Sequence, residues 1–306
     1  MTETELIQKL TAGLPGDSSV LTGPGDDCAV IELGGQKLLF KTDAIVEDIH
    51  FTSDTPPKKI GRKAMARALS DIAAMAGTPT HALVTLGLCE THKPAFVESI
   101  FVGLRDIAAE HGVNIVGGET TTLPKLTLSI SLLGTCSNPI LRIGSQAGDA
   151  LFVTGELGGS IAGHHLEFIP RIKEAHWLSE HVNIYAMIDL SDGLATDLRH
   201  LLGKNLGAEI LTTALPVRRE AKSLAKENPS GKTALLAALT DGEDYELLFT
   251  VAAKDAVALL DNWNLNFPET SLKCIGKITD KPGITLRDDK GARPLTLHGY
   301  DHLQQS

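Results

Sequence analysis

Short apolar runs of strand length alternate along this chain with longer stretches of helical spacing. Residues 4–10 read as a short amphipathic helix. Residues 28–33 and 37–41 are strand-like, and Gly34-Gly35 between them predicts an antiparallel hairpin. Pro56-Pro57 is a helix-entry signal for a helix over 60–76 built mainly of small and apolar residues. A strand over 81–88, an amphipathic helix over 94–110 ending at His111-Gly112, and strands over 113–116 and 126–136 complete a first half. Residues 140–148 have no hydrophobic period, so the expected domains are 1–138 and 139–306. The second half opens with a strand over 150–154 and a glycine-rich turn over 155–160 that leads toward a helix. Such a turn suits a phosphate at a helix N-terminus. A helix within 168–183, a strand at 186–188 and a helix marked by Leu194, Leu198, Leu201 and Leu202 follow. A strand over 245–251, a helix near 255–263 and a strand over 271–278 come last. Both halves mix strands and helices, which predicts two domains of the α/β and α+β classes.

Carboxylates stand at the ends of these runs. Asp26 and Asp27 precede the first hairpin strand and Asp43 follows the second, so antiparallel pairing brings Asp27 toward Asp43. Acids side by side repel, and the cluster makes sense chiefly with a cation among them, although a surface turn also tolerates acids. Asp71 interrupts the apolar helix; it needs a partner or a metal if buried, or it shares a solvated stripe with Arg67. Gly117-Gly118-Glu119-Thr120-Thr121 follows a strand, either as a backbone cradle for an anion or as a plain turn. Arg142, in the linker, is within the chemistry of a phosphate contact, though a surface charge is the ordinary alternative. In Asp189-Leu190-Ser191-Asp192-Gly193, Ser191 or Asp192 suits a helix N-cap. Asp189 sits where α/β proteins place ligand sites, at a strand's C-terminal end.

Composition narrows the function classes. With 306 residues the chain is long enough for two domains, and a formal charge of −10 argues against nonspecific binding to nucleic acid or anionic membrane. Acids remain compatible with a phosphorylated small molecule when divalent metals bridge the two. The four cysteines, Cys28, Cys89, Cys136 and Cys274, lack metal-ligand spacing and suggest no disulfide framework. The acidic N-terminus has no signal-peptide core and no apolar run has spanning length, so a cytoplasmic location is expected. Ser230-Gly231-Lys232-Thr233 imitates the end of a P-loop, but Lys226 stands where the earlier glycine belongs, and no strand is expected to feed it. A Gly-x-Gly-x-x-Gly fingerprint is absent.

The ordered set of Gly25-Asp26-Asp27, Thr42-Asp43, Val46-Glu47, His50-Phe51, Ser70-Asp71-Ile72-Ala73-Ala74-Met75, Gly117-Gly118-Glu119-Thr120-Thr121, Asp189-Leu190-Ser191-Asp192-Gly193-Leu194, Gly242-Glu243-Asp244-Tyr245-Glu246-Leu247-Leu248-Phe249 and Gly299-Tyr300-Asp301-His302 resembles the thiamine-monophosphate kinase family. The resemblance runs over almost the whole chain. It implies the two-domain aminoimidazole-ribonucleotide-synthetase-like fold, with an N-terminal domain that dimerises through its sheet. It implies ATP as co-substrate, several Mg²⁺ ions, and direct phosphorylation of thiamine monophosphate to thiamine diphosphate. Carried onto this chain, Asp27, Thr42, Asp43, Asp71, Asp189 and Asp192 hold magnesium, while Gly118, Arg142 and Ser191 contact ATP phosphates. Glu119, where the family usually has Asp, joins both groups. His50, Glu243 and Tyr300 contact thiamine monophosphate, and Asp43, Asp71 and Arg142 form the catalytic set. Asp48 also departs from the family, which typically has Gly there, and residues 164–181 depart from its pattern. Sister enzymes are disfavoured: a selenophosphate synthetase needs a reactive cysteine in a mobile N-terminal segment, whereas Cys28 lies in a predicted strand. A hydrogenase-maturation relative should end in Cys, and this chain ends Gln305-Ser306. An aminoimidazole ribonucleotide synthetase, a non-catalytic binding protein and a phosphohydrolase remain the alternatives.

Overall fold

A computed structural model describes residues 2–300. Helix α1 (Glu3–Thr11) opens with a reciprocal cap: the Thr2 hydroxyl accepts from the Glu5 N–H at 3.2 Å, and the Glu5 carboxylate accepts from the Thr2 N–H at 2.9 Å. Strands β1 (Val20–Thr22), β2 (Ala29–Leu33) and β3 (Gln36–Val46), helix α2 (Pro57–Ala74), β4 (Thr78–Leu88), α3 (Pro94–Glu110), β5 (Asn114–Thr122) and β6 (Thr127–Thr135) follow. Next come β7 (Ala150–Thr154), α4 (His164–Glu167), α5 (Ile172–His181), β8 (Ile184–Asp189), α6 (Leu194–Leu202), β9 (Gly207–Leu211) and α7 (Arg219–Glu227). The remainder is α8 (Ala234–Thr240), β10 (Leu247–Val251), α9 (Ala256–Asn266), β11 (Leu272–Thr279), β12 (Gly283–Asp288) and β13 (Gly291–Pro294). Packing divides the chain into two compact units. Ser19–Pro139 with His165–Lys173 form one; residues up to Ser18, Ile140–His164 and the chain from Glu174 onward form the other.

In the first unit the described strands make a six-stranded sheet in the order β1-β2-β3-β6-β4-β5. The hairpin forms as the glycine pair predicts, with Leu33 opposite Gln36 and Ala29 opposite Phe40. One face of the sheet is covered by α2, which packs in turn on α3. Pro57 is the first residue of α2, and the small side chains seen in the sequence let the two helices meet backbone to backbone. A Cβ on Gly61 would stand 1.9 Å from the Ile100 carbonyl oxygen, and one on Gly103 1.9 Å from that of Lys58. Residues 165–173 of the segment that departs from the family pattern pack here as well. Arg62 donates to the Phe168 carbonyl at 2.8 Å, and Lys59 pairs with Glu167 at 2.7 Å.

The described strands of the second unit form a seven-stranded sheet, β13-β12-β9-β11-β7-β10-β8, antiparallel except for β12 beside β9. Every residue of β7 and β10 is buried. Leu194, Leu198, Leu201 and Leu202 of α6 join the core with Leu248 and Ile275. No helix of the described residues is long and apolar enough to cross a membrane.

Several local expectations change. Strand β5 does not stop before the glycines but runs through to Thr122. Gly118 is needed there because a Cβ would lie 1.8 Å from the Val84 carbonyl oxygen of the neighbouring strand. The glycine-rich turn after β7 is not an open phosphate cradle. Its Gly158 N–H donates to Asp244 at 3.0 Å and its Gly159 N–H to Asp241 at 2.8 Å, so carboxylates of the same unit hold both. Strand β10 begins at Leu247 rather than at 245, since Glu243 (φ 53°) and Tyr245 (φ 52°) adopt left-handed backbone. The false P-loop follows helix α7 instead of a strand; Thr233 caps α8 and Lys232 pairs with Asp241 at 2.7 Å. Strands β9, β12 and β13 and helices α7 and α8 lie outside the elements expected from the sequence.

Candidate active site

The first unit gathers acids around a lysine. Alternation along β3 turns Lys41 and Asp43 to the helix-covered face, where Leu39 and Ile45 are buried. Asp71 of α2 comes down onto the same face and is only 6% exposed, so it is not part of a solvated stripe. Lys41 Nζ lies 2.9 Å from Asp71 Oδ1 and 3.7 Å from Asp43 Oδ1, and Arg67 Nε lies 3.8 Å from Asp43 Oδ2. Asp27, 1% exposed at the start of the hairpin, presents a carboxylate oxygen within 4.8 Å of one on Asp71. The cation that the acid pattern called for is present, and it is an ammonium. Burial opposes its charge, but the carboxylates of Asp71, Asp43 and Asp27 outweigh that and raise its pKa above the ordinary lysine value. The donors Asp27, Asp43 and Asp71 are all hard carboxylate oxygens, the chemistry that Mg²⁺ prefers.

Not every expected residue joins them. The Thr42 hydroxyl faces the other way, at 3.4 Å from Ser129 Oγ and 3.3 Å from Ser131 Oγ. Register puts Glu119 beside Thr85 on that same uncovered face, on edge strand β5. Neither side chain is brought to Asp43 and Asp71. His50 lies in the turn after β3, where its Nδ1 accepts from the Val46 N–H at 3.0 Å. In the neutral ring the proton then sits on Nε2, which makes that nitrogen a donor. Buried Lys63 fixes the same turn by donating to the His50 carbonyl at 2.5 Å. Asp48, in place of the family's usual Gly, has φ 66°, a left-handed position that Asp tolerates better than most residues, and it ion-pairs with Lys125.

The second unit converges on the loop after β8. Asp189 is 3% exposed and pairs in register with Leu247 of β10. The Glu243 N–H donates to the Ser191 carbonyl at 2.7 Å, and the Tyr300 N–H donates to the Asp192 carbonyl at 2.9 Å. Gly299 permits this approach, because a Cβ there would stand 1.9 Å from that Asp192 oxygen. Ser191, Asp192, Glu243 and Tyr300 are thus brought to one loop; Asp301 and His302 of the same motif lie outside the described residues. Neither Ser191 nor Asp192 caps α6, whose N-cap is Gly193. Sequence reasoning missed Asp197, fully within the core, which accepts from the Asp192 and Gly193 N–H groups at 3.1 and 3.0 Å. Burial and then the charges of Asp192 and Asp189 push its pKa well up, against the pull of Arg142. Arg142 therefore lies electrostatically within this acid group. The signal was available: Asp197 is a lone acid among the leucines of α6, as Asp71 is among the apolar residues of α2.

Residues 25–136 match the family model described as AIR synthase related protein, N-terminal domain. A thiamine-monophosphate kinase from Rhodopirellula baltica is 40% identical over 279 residues, covering 88% of this chain and 86% of the relative. The chain belongs to the thiamine-monophosphate kinase family. The Escherichia coli K12 thiamine-monophosphate kinase is 34% identical over 92% of this chain and 91% of its own length. The structure of AaThiL complexed with AMPPCP and TMP superposes with a TM-score of 0.82 at 28% identity, over 98% of this chain and 95% of that one. The two mixed units thus have the expected aminoimidazole-ribonucleotide-synthetase-like fold. The hydrogenase maturation protein HypE of E. coli shares that fold alone, with a TM-score of 0.71 and 19% identity over 96% of each chain.

Proposed function

We propose that this chain uses ATP to phosphorylate thiamine monophosphate, giving thiamine diphosphate. The observation that carries the reading furthest is the set of buried and half-buried acids on the helix-covered face of the first sheet. Asp27, Asp43 and Asp71 sit there at the motif positions of a family whose member was solved with AMPPCP and TMP. These three, with Asp189 and Asp192, would hold Mg²⁺. Thr42 and Glu119 would join through groups other than the side-chain positions seen here. Mg²⁺ supplies charge neutralisation when two highly anionic phosphates approach.

The remaining steps belong to the chain. Gly118 on the outer strand, Arg142 and Ser191 would orient the ATP phosphates, with the guanidinium screening their charge. His50 Nε2–H is a donor for the acceptor phosphate, and Glu243 and Tyr300 suit the cationic and aromatic parts of thiamine monophosphate. The acceptor is already a phosphate oxygen, so a strong general base is unnecessary. The aspartates are assigned to metal and His50 to the substrate, so the reading invokes no phosphoenzyme. Direct in-line transfer follows, with inversion at the γ-phosphorus.

Incubation with ATP, Mg²⁺ and thiamine monophosphate, with products identified by mass, tests the activity. Release of free phosphate without thiamine diphosphate would refute it. Chiral thiophosphate-labelled ATP tests the route, since net retention requires a covalent intermediate. The reading includes a cytoplasmic enzyme, where ATP is supplied, and a homodimer formed through the first sheet. The uncovered face supports the latter, with Phe40 48% and Leu83 47% exposed, beside Val116 at 60% on the edge strand. Phe40→Glu should lower the mass measured by light scattering if that sheet is the interface.

A further inference from the structure

The magnesium reading leaves one group unexplained. A metal-binding cluster has no use for an ammonium in its midst, yet Lys41 stands 2.9 Å from Asp71 and 3.7 Å from Asp43. The placement is built in by the strand. Lys41 is two residues before Asp43 on β3, so both side chains must leave from the same face. Leu39 and Ile45 bury the rest of that row under α2, and the four-carbon stem of Lys41 runs along it to the acids. Those carboxylates come from three separate elements: the hairpin start, β3 and α2. Without a cation their mutual repulsion works against packing α2 onto the sheet. An ammonium at hydrogen-bond distance removes that penalty in the metal-free protein. It also repels any divalent ion that enters the same carboxylates.

We propose that Lys41 is the resident counter-cation of the Asp27, Asp43 and Asp71 cluster and competes with Mg²⁺ for it, so that metal binding is an exchange of an ammonium for a divalent ion. Lys41 is thus a positioning residue: it keeps the carboxylates assembled while metal is absent and sets the Mg²⁺ concentration at which the cluster loads. Its flexible stem allows the ammonium to swing outward once the ion takes over the negative charge. The proposal rests on the magnesium reading given above.

The test is thermal unfolding of the full chain, first in EDTA and then across a MgCl₂ titration, with no substrate present. The wild type should gain Tm as Mg²⁺ rises, because an ion that binds only the folded state stabilises it. Lys41→Met keeps the apolar stem and removes the charge. It should melt below the wild type in EDTA, yet reach half of its Mg²⁺-induced gain at roughly 10-fold lower Mg²⁺. If Lys41→Met is unfolded in EDTA, Mg²⁺ should restore its folded fluorescence at that lower concentration. Lys41→Arg retains a cation and should keep the half-point close to the wild-type value. A wild type that responds while Lys41→Met shows an unchanged or higher half-point overturns the exchange and leaves the magnesium reading intact. A wild type with no response to Mg²⁺ overturns both.

Discussion

The two acid groups of this chain solve the same electrostatic problem by different means. In the first unit, Asp43 and Asp71 are neutralised by side-chain cations, with Lys41 at 2.9 and 3.7 Å and Arg67 at 3.8 Å. In the second, Asp197 is held by two backbone N–H groups of the loop it supports, and burial drives it toward its protonated form. A side-chain cation can swing away; a main-chain donor cannot without unfolding the loop. The first arrangement is suited to exchanging its counter-ion, and the second to holding a fixed shape. Residues at the two places should therefore fail differently when substituted.

The largest effect should come from Asp43→Asn, which keeps the shape but removes the negative charge where a metal ligand is proposed. Steady-state kinetics should show kcat lower by about 100-fold or more, with folding retained. Near-normal turnover at limiting Mg²⁺ would remove Asp43 from the metal set. Asp197 should behave in the reverse manner. Asn imitates a protonated carboxyl and keeps an acceptor for the Asp192 and Gly193 N–H groups, so Asp197→Asn should stay close to wild type. Asp197→Ala strands both donors and should lower kcat/KM by ~10-fold or more. Equal losses in the two variants would mean that the charge of Asp197, not its acceptor, is what matters.

Much of this was legible in the sequence, and the reasons are local. The hairpin was readable because Gly34-Gly35 separates two strand-like runs, and α2 because Pro56-Pro57 precedes a long run of small residues. Asp71 and Asp189 stood out because a carboxylate there has no cheap structural role. What stayed hidden was set by long-range pairing. Strand β9 lies between β11 and β12, which follow it in the chain by more than sixty residues, so nothing near it announces a strand. The use of Gly158 and Gly159 depended on Asp244 and Asp241, far along the chain, and Gly-rich spacing alone cannot separate a phosphate cradle from a turn already filled by carboxylates. Lys41 passed as an ordinary strand lysine because its acids come from three elements.

A smaller effect is expected at Tyr300, whose main chain is tied to Asp192 while the residue is 40% exposed. Tyr300→Ala keeps the backbone bond and removes the aromatic face. KM for thiamine monophosphate should rise by ~10-fold, with that for ATP nearly unchanged. A change confined to the ATP constant would show that the thiamine pocket has been assigned to the wrong residues.

The smallest effect distinguishes the second unit by pH. Asp244 is 1% exposed; it accepts from the Gly158 N–H at 3.0 Å and from Arg218 at 3.2 Å. Burial pushes its pKa up to about 7; Arg218 and the Gly158 bond pull it down, and the Glu246 charge adds to the rise. His164 also faces it, with Nε2 at 3.0 Å from the Asp244 carbonyl oxygen. Because the folded value lies above the unfolded 3.8, the folded protein holds this proton more tightly. The stabilisation is complete below the unfolded value and is lost as pH rises through about 7. Between pH 6 and 8 the loss is about 1 kcal/mol, a shift of a few degrees in Tm. Lys41 contributes nothing comparable in that range, since the raised lysine stays charged throughout it. Asp244→Asn cannot titrate, so its Tm should fall less between pH 6 and 8 than that of the wild type. An identical slope in the variant would assign the pH dependence to His164 or another group and leave Asp244 as a permanent anion paired with Arg218.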